Sequence, residues 1–393
     1  MTHPENFQRR DLFRVPSIGG GHINIGSILL YQKETHEDKN DVVCRYSVRD
    51  IDLQYMLKVN DISNTIISGC SRTGKTVLAM KLTQEFLNIK DRLEERTGQK
   101  LRIVCIDPKS NWRKLKEKVN PQTVTVHTLG DVKLNPWKTP NNTSPSDWAC
   151  SVVDIFCRST GLLELGRDML LDAILPLYEE TNNDVDFVKI YKRLEKLKEV
   201  NPEKQDAYDK LLSRIEPFVD TMSIANIALG TSEGLGVDEL ISDDGIIIFE
   251  TDTLDNTVKK FVSGVIATGF YNIAIKNVKV LYKNILILED ADKTSFSIPF
   301  LDEWAINSGL DIVFIARDIS NLPKRIVDNC ELIFIGRQTK IDNMDIVIRE
   351  LSDDISEQAE LFKTIAGFPP SWFATYSKNN SGRLSTLIRV DKD

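Results

Sequence analysis

Short runs of apolar residues recur along the chain and alternate with longer stretches in which apolar residues repeat with a helical period. Several runs consist almost entirely of Ile, Val, Leu and Phe, which is typical of strands buried on both faces of a parallel sheet. Strands that alternate with helices predict an α/β fold with a mainly parallel sheet. The predicted strands are 64–69, 101–107, 124–129, 245–251, 284–290, 311–317 and 331–337, and the predicted helices are 75–95, 256–275 and 297–307.

The remaining segments predict further regions around this core. Short alternating runs near the N-terminus indicate a small β-rich region, and the last stretch has the pattern of a helix followed by a hairpin with strands at 372–378 and 383–390. One long interval has only helical patterns, with charged faces that we expect to be solvated. The predicted boundaries are 1–60 for the β-rich region, 61–144 and 243–345 for the core, 145–242 for a helical insertion and 346–393 for the C-terminal helix and hairpin.

The most specific motif lies between the first core strand and the helix that follows it. Residues 69–76 match G-x-x-x-x-G-K-[ST], the phosphate-binding loop. Backbone N–H groups at a helix N-terminus bind anions, and glycine allows close approach of the backbone. Lys75 is predicted to reach the β- and γ-phosphates and the Thr76 hydroxyl to ligate Mg²⁺. The predicted ATP-binding residues are Gly69, Cys70, Ser71, Arg72, Thr73, Gly74, Lys75 and Thr76.

A pair of acidic residues, Glu289 and Asp290, ends another predicted strand. A P-loop enzyme needs carboxylates at the end of a neighbouring strand, one in the magnesium shell and one that orients or activates the attacking water. We assign Glu289 to Mg²⁺ and Asp290 to the water. Glu250 and Asp252, at the end of a different predicted strand, remain a rival pair, since the sequence does not prove which strand neighbours the loop.

Five further patterns occur in order around the loop. They are Ile25-Gly26-Ser27-Ile28-Leu29, Ile106-Asp107-Pro108-Lys109, Leu134-Asn135-Pro136-Trp137, Glu289-Asp290-Ala291-Asp292, and Ala316-Arg317-Asp318 followed by Leu322-Pro323 and Asn329-Cys330. Together they resemble the HerA/FtsK superfamily of hexameric motor ATPases, where the corresponding patterns are "iG.il" at the start of the N-terminal barrel, "DPKgE", "lNPl", D-E-A-H, and T-Q-R before "qC". The resemblance covers residues 20–390 approximately.

The resemblance implies a RecA-like core, a ring of six subunits with ATP sites at their interfaces, and ATP hydrolysis. It also implies movement along double-stranded DNA, or transfer of DNA or protein through a central channel. Three functions remain open. They are a DNA translocase that works with a nuclease or a defence effector, a secretion or packaging motor that meets a membrane or capsid only through a partner complex, and a low-turnover ring that recruits an effector when nucleotide binds.

Two departures from the family pattern bear on hydrolysis. The acidic pair is reversed, so that each carboxylate is displaced by one methylene, and a misplacement of about 1 Å can lower a rate on the order of a hundredfold. Arg317 stands where the family has a polar sensor glutamine, and a guanidinium cannot accept a hydrogen bond from water. The sequence therefore predicts an ATPase whose turnover is low or depends on a partner.

Arginines and a basic segment are further candidates. P-loop motors use an arginine from a neighbouring subunit to stabilise charge on the γ-phosphate, and Arg337 resembles the family's arginine at that place, with Arg317 and Arg325 as rivals. Residues 109–118 carry five cations and one acid, which is suitable for contacts to a polymer's phosphates. The alternative is a solvated helix face with a buried Trp112.

Composition narrows the class of protein. The chain is 41 % hydrophobic and 27 % charged, as ordinary globular proteins are, and its net charge of −8 argues against a surface that coats nucleic acid. We find no run of about 18 apolar residues, so no membrane span is predicted. Six scattered cysteines without a Cys-x-x-Cys pair favour reduced thiols and a cytoplasmic protein.

Overall fold

The computed structural model describes residues 22–38, 41–58, 64–230, 233–241, 244–276, 282–302, 309–340, 342–343, 345–346, 363–377 and 384–390. Within these residues eleven strands form one sheet, in the order β2-β1-β11-β10-β9-β3-β8-β7-β4-β6-β5. The strands are β1 (His22–Asp38), β2 (Asp41–Lys58), β3 (Thr65–Ser68), β4 (Lys100–Asp107), β5 (Val124–Thr128), β6 (Gly245–Glu250), β7 (Tyr282–Leu288), β8 (Leu310–Ala316), β9 (Leu332–Ile335), β10 (Trp372–Ser377) and β11 (Leu384–Val390).

The seven strands from β9 to β5 are parallel and form the predicted core. Each predicted core strand is present, with ends that differ by one or two residues. Successive side chains of a strand point to opposite faces of the sheet. Ile66 and Phe314 pack on one face, whereas their neighbours Ile67 and Val313 pack on the other. Burial on both faces explains why these runs are apolar throughout.

The other four strands extend the sheet in antiparallel fashion. The C-terminal strands β10 and β11 pair with each other, and β10 also pairs with β9. The N-terminal ribbon of β1 and β2 then joins β11, with Gly26 opposite Val390. A Cβ on Gly26 would lie 2.0 Å from the Arg389 carbonyl oxygen, so this pairing needs glycine. The predicted N-terminal β region is thus part of the core sheet in its described residues, and the turn of the predicted C-terminal hairpin lies outside them.

Helices cover both faces of the sheet. They are α1 (Lys75–Asn88), α2 (Lys90–Thr97), α3 (Pro145–Thr160), α4 (Glu164–Glu180), α5 (Phe187–Val200), α6 (Gln205–Val219), α7 (Ile224–Leu229), α8 (Val237–Leu240), α9 (Asn256–Lys276), α10 (Ala291–Thr294) and α11 (Lys324–Asn329). No helix in the described part of the chain is both long and apolar enough to cross a membrane.

Two predicted helices differ from the structure. The helix predicted at 75–95 divides at Ile89, whose φ of −104° and ψ of 2° interrupt the α-helical geometry. In place of the start of the helix predicted at 297–307, the structure has two 3₁₀ turns, Ser295–Ser297 and Pro299–Asp302. Pro299 supplies no backbone N–H, which favours the interruption between the turns. Residues 303–308 lie outside the described residues.

Three helices of the insertion, α3, α5 and α6, contribute rings to an aromatic cluster. The rings of Phe187 and Phe218 stack with centroids 4.4 Å apart, and Phe156 and Phe261 close the cluster. Phe261 belongs to α9, the helix that follows β6, so the insertion and the sheet share one hydrophobic core. Buried aromatic side chains of this size contribute strongly to packing energy.

Candidate functional site

The phosphate-loop motif lies at the carboxyl end of β3 and continues into α1. Ligands of parallel α/β sheets bind at this edge, beyond the carboxyl ends of the strands. Gly74, at the N-cap of α1, has a φ of 95°, which favours glycine, and a Cβ there would lie 3.2 Å from Ser371 Oγ. A Cβ on Gly69 would lie 2.8 Å from Thr73 Oγ1. Gly69 is therefore favoured by packing within the loop, and Gly74 by its backbone conformation and by the neighbouring Ser371.

Neighbouring strands hold this loop in place. The Gly69 N–H donates to the carbonyl of Ala316 at the end of β8, at 3.3 Å, and the Cys70 N–H donates to the carbonyl of Arg337 beyond β9, at 2.8 Å. The Thr73 hydroxyl closes the loop on the Cys70 carbonyl at 2.9 Å. A loop fixed by such bonds is organised before any ligand arrives, which reduces the entropy cost of binding.

Lys75 turns back over the loop. Its ammonium donates to the carbonyl oxygens of Gly69, at 2.6 Å, and of Cys70, at 2.9 Å. Burial lowers the pKa of Lys75, the Glu289 carboxylate opposes this change, and the charge of Lys109 adds to it. An ammonium that is partly desolvated and bound only to neutral carbonyls is well suited to bind an anion such as a phosphate.

Glu289 joins this loop through Thr76. The Thr76 hydroxyl donates to Glu289 Oε1 at 2.9 Å, and the Glu289 side chain is 3 % exposed. We expected the acidic strand to neighbour the loop strand directly, and this was wrong, because β8 lies between β3 and β7. Strands are about 4.8 Å apart, so the gap is about 10 Å. Thr76 lies in the first turn of α1, and this position brings its hydroxyl within hydrogen-bond distance of Glu289.

The two acids of the pair differ in environment. Burial raises the pKa of the Glu289 carboxyl, and the Lys109 charge and the hydrogen bonds from Thr76 and Trp112 only partly offset this. Burial also acts to raise the pKa of Asp290, but the hydrogen bond and charge of Lys109 outweigh it and lower this pKa. Lys109 Nζ lies 2.6 Å from Asp290 Oδ1. Asp290, which we assigned to the attacking water, is thus held in an ion pair.

The loop after β4 supplies these contacts to the acidic pair. Asp107 accepts the N–H groups of Lys109, at 2.9 Å, and Trp112, at 2.8 Å, and so fixes the turn between them. Trp112 is fully buried, and its indole N–H donates to Glu289 Oε2 at 3.3 Å. Trp112 is therefore part of the framework of the acidic site, and the alternative of a buried tryptophan applies rather than a ring that stacks on a polymer.

The rival acidic pair lies elsewhere. Glu250 is fully buried at the end of β6, four places from β3 in the sheet. Its carboxylate accepts the guanidinium of Arg113, with 2.8 Å between Arg113 Nε and Glu250 Oε1, and the Thr128 hydroxyl at 3.0 Å. These contacts link the loop after β4 to its neighbouring strands, and none of them involves the phosphate loop.

The candidate arginines take different positions. Arg337 Nε lies 3.4 Å from Cys70 Sγ, so its side chain contacts the phosphate loop of its own chain. This contact lies within the chain, and the expected role of Arg337 towards a neighbouring subunit stays a prediction. Arg317 is exposed beyond β8, and its backbone N–H donates to Asp292 Oδ1 at 3.2 Å. Arg325 is exposed on α11.

The sequence did not single out Gln338 or the contacts of Lys109. Gln338 is 1 % exposed, and its amide donates to Ser68 Oγ at 2.9 Å, at the last residue of β3. The Asn343 amide donates to Asp318 Oδ1 at 2.8 Å and lies 3.3 Å from Gln338 Oε1, which connects the loops after β8 and β9. A polar residue directly after a predicted strand was the available signal for Gln338, and the "DPK" pattern was the signal for Lys109.

Similar folds occur among solved structures. VirB4 of Thermoanaerobacter pseudethanolicus has a TM-score of 0.67 and 15 % identity, and the match covers 95 % of this chain and 97 % of that one. The plasmid coupling protein TrwB in complex with ADP and Mg²⁺ has a TM-score of 0.61 and 12 % identity, over 86 % and 87 %. TrwB with a non-hydrolysable ATP analogue has a TM-score of 0.60 and 13 % identity, over 85 % and 87 %. No protein-family model and no curated protein matches the chain.

Proposed function

Because the chain has the RecA-like fold of the HerA/FtsK-type P-loop ATPases, we propose that it binds ATP with Mg²⁺ and hydrolyses ATP to move DNA. The observation that carries this proposal is the 2.9 Å hydrogen bond between Thr76 and Glu289. It brings a hydroxyl and a carboxylate, oxygen ligands of the kind that Mg²⁺ prefers, to the first turn of the helix that starts with Lys75.

The residues around the loop fit a triphosphate. The loop from Gly69 to Gly74 would hold the phosphates with its N–H groups, and Lys75 would exchange its carbonyl partners for the β- and γ-phosphates. Thr76 and Glu289 would hold Mg²⁺, which when bound neutralises phosphate charge and fixes its orientation. Arg337 would contact the phosphates from its own chain.

The ion pair of Asp290 with Lys109 supports a second candidate function. A carboxylate paired with an ammonium at 2.6 Å is stabilised in its charged form and is less able to accept a proton from water. Arg317, at the other expected water contact, cannot accept a hydrogen bond. Both features favour slow hydrolysis, and with it the low-turnover ring that recruits an effector when nucleotide binds.

Assembly and partners follow from the resemblance. We propose a hexamer with ATP sites at subunit interfaces, double-stranded DNA as the polymer, and a nuclease or effector as the partner, in the cytoplasm. One of the similar structures is described as a bacterial conjugative coupling protein, which supports DNA as the cargo. Its relation to conjugation also supports the alternative, a secretion or packaging motor that reaches a membrane only through a partner complex.

ATP turnover with and without duplex DNA, on protein sized by mass photometry, tests the proposal. A DNA-stimulated ATPase with the mass of a hexamer would support the translocase. Nucleotide-dependent assembly with little turnover and no effect of DNA would support the ring scaffold instead. Lys75→Ala is the control, since it removes the ammonium at the loop, and normal ATPase activity in this variant would contradict the site.

A further inference from the structure

The ammonium group of Lys109 lies beside the oxygen atoms that would hold Mg²⁺ in the proposed site. Its ammonium lies 2.6 Å from Asp290 Oδ1 and 3.6 Å from Glu289 Oε1. The same oxygen, Glu289 Oε1, accepts the Thr76 hydroxyl at 2.9 Å. A divalent ion held by Thr76 and Glu289 would therefore share a ligand oxygen with the ammonium of Lys109, and two cations at one oxygen repel each other.

The backbone of Lys109 is fixed, whereas its side chain has room to turn. The Asp107 carboxylate, which is fully buried, binds the N–H groups of Lys109 and Trp112 on either side of the turn. Ser110, within this turn, has a φ of 54°, a left-handed conformation that such bonds maintain. The side chain of Lys109 is 35 % exposed, so that its outer side faces water. Any response of Lys109 is thus a pivot of the side chain about a fixed backbone.

We infer that Lys109 is a two-position cation that ties Asp290 and Glu289 together in one position and contacts the terminal phosphate of a bound triphosphate in the other. This inference rests on the proposed function of the site. Lys109 Nζ lies 3.6 Å from Glu289 Oε1, and the same oxygen accepts the hydroxyl of Thr76, the residue directly after Lys75. Lys109 is therefore close to the turn that carries Lys75, whose predicted partners are the β- and γ-phosphates. A terminal phosphate bound by Lys75 would offer a displaced Lys109 a new anion to contact.

The consequence of this pivot concerns Asp290. While Lys109 holds Asp290, the carboxylate is engaged in the ion pair. When a triphosphate draws Lys109 away, Asp290 Oδ1 becomes able to accept a hydrogen bond from the attacking water, while Lys293 Nζ remains 3.5 Å from Asp290 Oδ2. A diphosphate lacks the terminal phosphate and would not hold Lys109 in its second position. Lys109 therefore acts as a positioning residue that links release of Asp290 to the presence of the γ-phosphate.

The affinities of a diphosphate and a triphosphate nucleotide, compared without any measurement of turnover, test this role of Lys109. Calorimetry with Mg²⁺ would measure the dissociation constants of ADP and of a non-hydrolysable ATP analogue for the full chain and for Lys109→Met. Loss of one charge-assisted hydrogen bond should weaken the analogue about tenfold and leave ADP nearly unchanged. Lys109→Arg, which keeps the charge, should recover part of the affinity. Lys114→Met, an exposed lysine of the same segment, is the matched control and should behave as the original chain does.

Asp290→Asn is an independent test, because it removes the carboxylate charge that holds Lys109 in the ion pair. It should bind the analogue a few-fold more tightly, on the order of 3–10-fold, without a similar gain for ADP. Equal losses of both ligands in Lys109→Met, or an unchanged analogue affinity in both variants, would show that the ion pair is only structural. If Lys109→Met does not fold, Asp290→Asn alone decides. If the unaltered chain binds neither nucleotide, the proposed function itself fails, which is a distinct result.

Discussion

The Thr76 hydroxyl donates to Glu289 Oε1 across 2.9 Å, although 213 positions separate the two residues and the strands that precede them, β3 and β7, are not neighbours in the sheet. The other carboxylate oxygen, Oε2, accepts the indole N–H of Trp112 at 3.3 Å. The carboxylate of Glu289 is thus bound on both sides by residues of different loops. Its position depends on the full length of a glutamate side chain.

This geometry predicts that Glu289→Asp impairs the site, even though the family that the chain resembles has aspartate there. One methylene fewer draws the carboxylate back by about 1 Å, and a misplacement of that size can lower turnover about 100-fold. Steady-state ATPase assays would measure the loss. Glu95→Asp, an exposed glutamate on α2, is the matched control. Full activity in Glu289→Asp would mean that the aspartate can still reach the metal site.

Trp112→Phe isolates the hydrogen bond from the indole to Glu289. Trp112 and Trp137 are both fully buried, but the Trp137 indole nitrogen has no hydrogen-bond partner among the described residues. Both substitutions remove similar volume, and only Trp112→Phe removes a bond to a carboxylate. We expect Trp112→Phe to lower the free energy of unfolding by about 1–2 kcal/mol more than Trp137→Phe, in urea denaturation. Equal losses would show that the indole contact contributes nothing to stability.

Glu250→Gln separates the rival acidic pair from the proposed one. Glu250 binds Arg113 and Thr128 away from the phosphate loop, so the substitution should lower the Tm by several degrees and leave ATP turnover within about threefold. Glu289→Gln should do the reverse, with turnover strongly reduced and the Tm little changed. Calorimetric melting and ATPase assays on both variants would measure this contrast. A large loss of ATPase activity in Glu250→Gln would instead support Glu250 as an acidic residue of the ATP site.

Arg337→Ala distinguishes a role within the chain from a role between subunits. Because Arg337 contacts Cys70 of its own loop, its loss should weaken nucleotide binding about tenfold in the same chain. A residue that acts only on a neighbour's site would lower turnover and spare the affinity. Titration of a fluorescent nucleotide would measure the dissociation constant. Arg325→Ala, which alters an exposed arginine, serves as the comparison.

Thiol labelling provides a readout of the phosphate loop. Cys70 is half-buried on the loop, so a bound nucleotide should protect it from iodoacetamide by at least about fivefold, as measured by peptide mass spectrometry. Burial raises the pKa of Cys157 to about 11, so its reactive thiolate is scarce below about pH 9. Cys157 should therefore label slowly with or without nucleotide. Protection of Cys157 but not of Cys70 would place the nucleotide elsewhere.

Local patterns in the sequence were sufficient to predict the core strands and the fold class. Apolar runs identified the core strands, because strands covered on both faces have no polar alternation. The glycine spacing identified the loop, because its backbone conformation and close contacts exclude a Cβ at Gly69 and Gly74. The predicted fold class is confirmed by the similar folds of VirB4 and TrwB.

Local patterns did not predict which distant segments pair in the sheet or form ion pairs. The insertion of β8 between β3 and β7 depends on strand order, which no local pattern encodes. The ion pair of Lys109 with Asp290 was hidden for the same reason, since a run of cations reads as a solvated or polymer-binding surface until its partners are known. The roles of Asp290, Arg317 and Arg337 in hydrolysis stay predictions.

The order of the strands has a consequence for folding of the chain during its synthesis on the ribosome. β3 lies between β8 and β9, while β4, the next strand made after β3, lies three places away. The two strands that flank the phosphate loop are synthesised only from Leu310 onwards. Contacts of such long range form late in folding. A nascent chain halted before β8 would contain the complete loop sequence and yet have no fixed cradle for a nucleotide.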